Sequence, residues 1–187
     1  MKEDQMMARL FLMKKGKMTE IVIRTPKKGD MQEAWKFYNR VIKETNFLSA
    51  YRPVSKKNEE KWLKTTLDDM EKKKSIHLFA ESDGKIVGSC SISKKLTDRS
   101  EHVGTFGICL LQEYTGCGLG TKITQLVLDA AKKYLKIKIA ELSVYSNNII
   151  AQKLYKKIGF VYAGKIPRSI KQGRKFVDNI IMYKVLE

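Results

Sequence analysis

The chain has 187 residues, of which 43% are hydrophobic and 30% are charged, and this suits one globular domain with a complete apolar core. It shows no internal repeat, no low-complexity stretch and no apolar run of the roughly 20 residues that cross a membrane, which excludes repeat, disordered and helical membrane proteins. The formal net charge of +17 favours anionic ligands, such as nucleic acid, acidic lipid headgroups or a phosphorylated cofactor.

The first residues carry acidic side chains near their start, a short apolar patch and no small-residue cleavage site, which is untypical of a secretory signal. We expect the folded domain to span residues 19–187. Residues 1–18 are interpreted in one of two ways: as an N-terminal extension, ordered or disordered, or as residues ahead of a true start at Met18.

The cysteines indicate the compartment. Cys90, Cys109 and Cys117 are far apart in the sequence and form no CxxC pair. Unpaired thiols fit the reducing cytosol, so we expect a soluble, cytoplasmic protein. With only two histidines in the chain, no metal site is expected.

Hydrophobic periodicity predicts a strand and then two helices in the first part of the chain. Residues 19–25 read as a strand, and residues 29–45 read as a helix with one apolar face. Ser55 is predicted to cap the second helix. Its apolar stripe is Trp62, Leu63, Leu67 and Met70.

The middle of the chain is predicted to form a meander of three antiparallel strands. Residues 75–81 and 86–94 flank an Asp-Gly turn, which is typical of a hairpin, and residues 102–111 form the third strand. A strongly periodic helix from the glycine-rich segment to Tyr134 follows, and then a buried strand at residues 139–145.

The last part of the chain is predicted to form a capped helix that ends at Gly159, followed by two strands folded about residues 171–174. The complete order predicts an α/β fold. We expect a single-domain sandwich whose mixed, mostly antiparallel twisted sheet of about seven strands is flanked by four helices.

Three glycines alternate along the chain, Gly116, Gly118 and Gly120, just before the most regular predicted helix. Glycine permits a tight turn and leaves amide N–H groups accessible at the positive end of a helix, which is an anion-binding arrangement. A P-loop is excluded because the chain has no GxxxxGK[ST] segment. The dinucleotide fingerprint GxGxxG also fails, because Thr121 stands at the third glycine position.

Two segments together, EYTGCGLGTKITQLVLDAA and NNIIAQKLYKKIGF, resemble the characteristic motifs of the GNAT superfamily of acyl-CoA-dependent N-acyltransferases. Asn148, Ala151 and Tyr155 match the second motif. The resemblance covers the chain from about Thr19 to the end. It implies a GNAT fold in which two parallel strands, residues 102–111 and 139–145, splay apart.

The resemblance implies acetyl-CoA as co-substrate, held by backbone amides of the glycine motif and by strand backbone. Thr115 stands where the family has Arg or Gln, which predicts weaker coenzyme affinity. Cys117 is interpreted as a residue without a catalytic role, not as a nucleophile. The residues implied in coenzyme binding are Ile108, Leu110, Thr115, Gly116, Cys117, Gly118, Leu119, Gly120, Thr121, Asn148, Ala151 and Tyr155.

For catalysis, the resemblance implies direct attack of an amine on the thioester in a ternary complex, with Tyr155 as the general acid that protonates the thiolate. The other interpretation of Tyr155 is a core-facing aromatic. Glu101 is the candidate general base. His102, Glu81 and a chain of water molecules are alternatives, and each of these residues also reads as a solvated strand-end side chain.

The acceptor is expected to be a primary amine, either a protein N-terminus or a small amino compound. Gly173, Asp178 and Met182 resemble a stretch of a subgroup that includes acetyltransferases of ribosomal-protein N-termini and of polyamines. Polyamines are cations, so a chain of net charge +17 repels them unless carboxylates such as Asp178 or Glu44 create a local negative site. A dimer is an open expectation.

Two other function classes stay open. The charge supports nucleic-acid or ribosome association, although only seven of the 37 basic residues are arginine, which disfavours base-edge recognition. The dispersed lysines are better explained as solvated residues on helix faces than as a nucleic-acid-binding groove. Thr115 and the lack of an evident base leave open a non-catalytic domain that senses acyl-CoA.

Overall fold

The structure is a computed structural model that describes residues 8–14 and 16–186. Its strands and α-helices, in chain order, are β1 (Ala8–Lys14), β2 (Lys17–Arg24), α1 (Met31–Glu44), α2 (Lys56–Glu71), β3 (Ser75–Ser82), β4 (Lys85–Lys94), β5 (Val103–Leu110), α3 (Leu119–Ala130), β6 (Ile139–Tyr145), α4 (Ile149–Ile158), β7 (Val161–Gln172) and β8 (Lys175–Val185). A π-helical turn, Ala131–Leu135, extends α3.

The strands form one eight-stranded sheet in the order β1-β2-β3-β4-β5-β6-β8-β7. Neighbouring strands are antiparallel except β5 and β6, which are parallel. This arrangement confirms the predicted mixed, mostly antiparallel sheet flanked by four helices, with eight strands where about seven were expected.

The helices cover both faces of the sheet. His77 and Phe79 of β3 lie with α1 and α2 around one cavity. Cys90 of β4 faces the opposite side, where it meets Thr124 of α3. Because side chains alternate along a strand, the sheet carries two apolar layers, each covered by helices.

The core lies between these layers. Each of its large aliphatic or aromatic side chains contributes about 1.5 to 3 kcal/mol when it is fully removed from water. The largest fully buried side chains are Phe79, Ile21, Ile23, Ile76, Leu78, Ile92, Leu119, Ile123, Leu128, Ile137, Met182 and Val41.

The predicted helix caps are present. The Ser55 hydroxyl accepts a hydrogen bond from the Asn58 amide at the start of α2, and the Asn148 side chain accepts one from the Ala151 amide at the start of α4. Gly159 ends α4 in the left-handed conformation, with φ of 97°, which glycine adopts without steric cost.

The N-terminal boundary differs from the prediction. Residues 8–14, interpreted as part of an extension, form β1 and pair antiparallel with β2. The expected domain start at Thr19 therefore falls inside β2. Phe11 and Met13 are apolar yet exposed, so the alternation that marks a half-buried strand is hidden in the sequence. Residues 1–7 lie outside the described part of the chain.

Among the residues that the structure describes, no helix combines the length and the apolar character needed to cross a membrane.

We expect β1 to contribute to global stability through its inward face. Leu10 is partly buried against the core, whereas Phe11 is 65% exposed on the other face. Leu10→Ser should lower the free energy of unfolding by about 1 kcal/mol, because a partly buried side chain loses part of its burial energy. Phe11→Ser, the matched control, should change it by less than about 0.5 kcal/mol. Urea unfolding followed by tryptophan fluorescence measures both, and equal effects would contradict an ordered β1.

Candidate active site

The parallel strands β5 and β6 pair only at their beginnings. The register joins Val103 to Ile139, Gly104 to Ala140 and Thr105 to Glu141, and no further pair of this ladder is formed among the described residues. Beyond Thr105 the two strands diverge and open a cleft of about 540 Å³. The splayed parallel pair expected from the sequence is confirmed.

The cleft is lined by the carboxyl-terminal half of β5, the end of β6, the glycine loop (residues 116–120) and one face of α4. It contains most of the residues implied in coenzyme binding. Those that line it are Ile108, Leu110, Thr115, Gly116, Gly118, Gly120, Thr121, Asn148, Ala151 and Tyr155.

The glycine loop has the backbone that its sequence predicts. Gly116 and Gly118 have φ values of 75° and 88°, in the left-handed region that disfavours other residues. Gly120 allows close packing instead, because a Cβ atom there would lie 3.2 Å from Leu154 Cδ2 of α4. The loop therefore turns tightly and brings the start of α3 against α4.

The glycine loop presents free amide groups to the cleft. The first intrahelical bond of α3 runs from the Lys122 amide to the Gly118 carbonyl. Within the described part of the chain, the amides from Gly116 to Thr121 donate to no backbone carbonyl. Unpaired amides at the positive end of a helix favour an anion, so this loop fits a pyrophosphate group.

Three side chains of the glycine motif make structural contacts and show no catalytic role. The Thr115 hydroxyl donates to the Gln112 carbonyl at 2.8 Å and closes the turn before the loop. The Cys117 thiol donates to the Tyr114 carbonyl at 3.1 Å. Leu119 is fully buried in the core, so only its amide faces the loop. These contacts support the interpretation of Cys117 as a residue without a catalytic role.

A chain of ion pairs holds the segment ahead of the glycine loop. Glu44, at the end of α1, pairs with Arg40 at 2.7 Å and accepts a hydrogen bond from the Gln112 amide at 2.8 Å. Glu113 pairs with Lys14 of β1 at 2.9 Å and with Arg40 at 3.0 Å. The hydrogen bond from Lys14 holds the pKa of Glu113 below its ordinary value. Strand β1, which the sequence did not predict, therefore helps to position the cleft.

Tyr155 lies at the bottom of the cleft, where α4 packs on the diverging strand. Its ring contacts Phe106, at a centroid distance of 6.2 Å, and Phe160, at 5.8 Å. Only 6% of the residue is exposed, and burial raises the pKa of its phenol above the ordinary value. The phenol therefore stays protonated near neutral pH and can donate a proton.

A second cavity, of about 570 Å³, lies on the other side of β5, between the sheet and helices α1 and α2. It shares Leu48, Gly107, Ile108 and Cys109 with the cleft. Its walls include the aromatic side chains Phe37, Tyr38, Trp62 and Phe79 and a row of serines on β3 and β4, namely Ser75, Ser89, Ser91 and Ser93. The strand β5 thus separates two adjoining cavities.

Glu59 of α2 lines this second cavity. Only 5% of the residue is exposed, and burial raises the pKa of its carboxyl to about 7. His77, also buried in this wall, shares a hydrogen bond of 2.8 Å with the Ser89 hydroxyl, and burial lowers its pKa to about 4. Near neutral pH the histidine is therefore uncharged, while the glutamate is partly ionised.

Sequence reasoning did not single out Glu59 as a site residue. A signal was present, because Glu59 lies four residues before Leu63 and so falls on the buried stripe of α2. A carboxylate on the apolar stripe of a helix is unusual, since buried acidic side chains are rare without a partner.

Comparison with known proteins decides the family. Residues 32–160 match the family model described as the Acetyltransferase (GNAT) family. The chain belongs to this family. The match confirms the resemblance found in the sequence and the expectation of an acyl-CoA-dependent N-acetyltransferase.

Individual relatives agree with this result. The chain is 27% identical to the L-amino acid N-acetyltransferase of Escherichia coli (strain K12), over 90% of this chain and 99% of the relative. A GNAT acetyltransferase structure from Streptococcus pneumoniae is 28% identical, with a TM-score of 0.80, and covers 89% of this chain and 99% of its own. A Salmonella typhimurium structure solved with acetyl-CoA shares the fold at 20% identity and a TM-score of 0.78, covering 89% and 94%.

The candidate bases named from the sequence lie apart from the two cavities of this GNAT protein. Glu101 and His102 are exposed in the turn before β5, at the paired end of the strand, and line neither cavity. Glu81 is bound by Arg24, whose Nη2 atom lies 2.6 Å from its carboxylate. The structure brings none of them together with Tyr155, because the strands diverge at the opposite end of β5.

Of the two carboxylates suggested for an acceptor site, Glu44 lines the cleft, where Arg40 and the Gln112 amide hold it, and Asp178 is engaged elsewhere. Asp178 accepts hydrogen bonds from Lys165 Nζ at 2.7 Å and from the Arg168 amide at 3.0 Å, and it lines neither cavity. Met182 is buried in the core, and Gly173 forms the turn between β7 and β8. Among residues 8–14 and 16–186, no group of three or more His, Cys, Asp and Glu side chains is placed to hold a metal ion.

The raised pKa of Glu59 predicts a pH-dependent effect on stability. The folded state keeps the proton up to about pH 7, whereas an unperturbed carboxyl releases it near pH 4.5. The stability that this carboxyl supplies is therefore complete below pH 4.5 and is lost as the pH rises to about 7. The side chain of Glu59→Gln stays uncharged at every pH. Relative to the wild type, the variant should therefore raise the free energy of unfolding by about 2 kcal/mol at pH 8 and leave it unchanged at pH 4.

Urea unfolding at both pH values measures this difference. His77 acts in the opposite sense over a similar range, so the variant must be compared with the wild type at each pH. Glu60→Gln, on the exposed side of the same helix, is the matched control and should have no effect at either pH. An equal effect of both variants would show that Glu59 is solvated like Glu60.

Proposed function

We propose that this protein transfers an acetyl group from acetyl-CoA to a primary amine by direct attack within a ternary complex. The observation that carries the proposal is the divergence of β5 and β6, which opens a cleft with unpaired amides at one end and the Tyr155 phenol within it. Such a cleft offers an anion site that can hold the pyrophosphate of a coenzyme and a proton donor that can protonate the thiolate leaving group.

The glycine loop is proposed to hold the coenzyme pyrophosphate through the amides of Gly116 to Thr121. The edge of β5 that faces away from β4, around Ile108 and Leu110, is proposed to bind the pantetheine part through its backbone. Asn148 and Ala151 line the same cleft from α4. Since backbone groups make most of these contacts, Thr115 in place of Arg or Gln is expected to weaken binding without abolishing it.

Bound acetyl-CoA supplies an activated acyl group with a thiolate as leaving group. Tyr155 is proposed as the general acid, because its buried phenol is protonated near neutral pH and lies in the cleft. Among the described residues, its hydroxyl takes part in no hydrogen bond, so its proton is available to a ligand. Protonation of the thiolate prevents the sulfur from attacking the new amide.

The acceptor is proposed to be a small amino compound or a protein N-terminus. The Escherichia coli relative is named for acetylation of L-amino acids, which makes free amino acids one class to test. A second cavity beside the cleft provides the space for such an acceptor.

Removal of the Tyr155 hydroxyl tests the catalytic step. Tyr155→Phe should lower kcat by about 100-fold or more, a typical effect for loss of a positioned general acid, with the Kd for acetyl-CoA unchanged. Thiol release with a panel of amines measures kcat, and the upward shift of Tm by acetyl-CoA reports binding. Tyr162→Phe, an exposed tyrosine on β7, is the control and should keep full activity.

The proposal fails if acetyl-CoA neither raises Tm nor yields thiol with any amine. Binding without thiol release from any amine would indicate an acyl-CoA sensor instead.

The glycine loop can be tested separately. Gly118→Ala places a side chain at a φ of 88°, which strains the loop and shifts its amides, so acetyl-CoA should bind at least about tenfold more weakly. Gly84→Ala, at a φ of 72° in the β3–β4 turn, imposes similar strain at a residue that lines neither cavity and should leave binding unchanged. Calorimetric titration with CoA measures both, and equal losses would refute a specific role of the loop.

A further inference from the structure

We propose that the second cavity is the acceptor site, that Glu59 takes a proton from the acceptor's ammonium group there, and that the cavity selects amines that carry no carboxylate. This inference rests on the proposed acetyl transfer and names its substrate class and its general base.

The cavity has the position that an acceptor requires. It shares Gly107, Ile108 and Cys109 of β5 with the coenzyme cleft, so the two cavities meet at the unpaired part of this strand. Cys109 is close enough to raise the pKa of Tyr155 on one side, and Glu59 is close enough to raise the pKa of Cys109 on the other. Glu59, in the second cavity, and Tyr155, in the cleft, therefore both lie in the neighbourhood of Cys109 on β5.

Glu59 has the properties of a base that is free to act. Its carboxylate makes no hydrogen bond and no ion pair within residues 8–14 and 16–186, and only burial shifts its pKa. A buried carboxylate without a partner destabilises the fold when it ionises. An ammonium group that enters the cavity removes this cost, because it supplies both the opposite charge and hydrogen-bond donors.

The other titratable groups close to Glu59 are not suited to act as the base. Tyr38 of α1 and Cys109 of β5 face it and remain protonated, since their pKa values are raised by burial. His77 of β3 is uncharged because burial lowers its pKa to about 4. Asp69 lies ten residues further along α2, about 15 Å away by the rise of a helix.

The walls discriminate by charge. Glu59 and Asp69 are the acidic residues that line the cavity, and the lining contains neither lysine nor arginine among the residues that the structure describes. In a chain of net charge +17 this is a local reversal of sign, which attracts a cation. An α-amino acid would bring a carboxylate into the cavity without a cation to receive it, so its binding is disfavoured.

The rest of the wall suits an apolar or aromatic substituent. Trp62, His77 and Phe79 form an aromatic cluster with centroid distances of 5.2 to 6.4 Å, in which His77 meets both other rings edge to face. Aromatic walls of this kind bind hydrocarbon or aryl groups through burial of apolar surface. We therefore expect arylalkylamines and alkylamines as acceptors.

The proton balance of the reaction is complete with these residues. Glu59 takes one proton from the ammonium group, and the free nitrogen lone pair forms the C–N bond while the C–S electron pair passes to sulfur. Tyr155 gives its proton to the sulfur and regains one from the nitrogen, which still carries two hydrogens after the C–N bond forms. Glu59 finally releases its proton to solvent, so each turnover yields one amide, one thiol and one proton.

The test compares 2-phenylethylamine with L-phenylalanine, which differ only by the carboxylate. For the wild type, kcat/KM should be at least 100-fold higher for 2-phenylethylamine, and it should rise with pH through an inflection near 7. Glu59→Gln should lower kcat/KM for 2-phenylethylamine about 100-fold and remove the inflection. Glu60→Gln should match the wild type in both respects.

Binding provides a readout that does not depend on turnover. In the presence of CoA, calorimetry at pH 8 should detect 2-phenylethylamine with the wild type and at least tenfold weaker binding with Glu59→Gln. The inference is overturned if Glu59→Gln retains the binding and the inflection, or if L-phenylalanine is the better acceptor. In the latter case the proposed acetyl transfer stands. Glu59-dependent binding without transfer to any amine supports the cavity assignment and overturns the proposed activity instead.

Discussion

The whole site depends on the short contact between two parallel strands. Strands β5 and β6 pair over three residues and then diverge, so that no strand among the described residues pairs with the β6 side of β5 from Phe106 onward. Buried backbone groups without partners are costly, so such an edge persists where a ligand can bind it. Phe106 is the first residue beyond the paired part, and its packing against Tyr155 of α4 and against Phe160, just after α4, fills the base of the opening. The same divergence therefore creates the cleft and fixes the general acid proposed to work in it.

The elements around this opening are connected by polar contacts that reach across the sequence. Glu44 and Glu113 join α1, β1 and the segment before the glycine loop through Arg40 and Lys14. Each exposed ion pair contributes little to stability. Their common effect is positional, because they hold the start of the loop whose amides face the cleft.

Charge is distributed in opposite ways on the surface and in the second cavity, the proposed acceptor site. The surface carries the excess of lysine that gives the chain its net charge of +17. The cavity beside β5 contains carboxylates and an uncharged histidine. The surface field favours the approach of an anionic coenzyme, while the local field in the cavity favours a cationic amine. One protein can thus attract two substrates of opposite charge to adjoining cavities.

The sequence by itself determined the order of elements, the helix caps and the glycine loop. These features arise from neighbours within a few residues, such as Ser55 with Asn58, or Gly118 with the start of α3. Tyr155 could be named because its helix motif is also local. Strand β1 was missed because Phe11 and Met13 are apolar on the exposed face and hide the alternation.

Only the tertiary structure decided where β5 and β6 diverge, which carboxylate lies in a cavity and which lies in solvent. The sequence places Glu59 on the apolar stripe of α2, but only the packing of α2 on β3 and α1 shows that it lines a cavity, whereas the turn before β5 exposes Glu101. The reason is physical: burial depends on contacts between residues far apart in the chain, and local pattern carries little information about them.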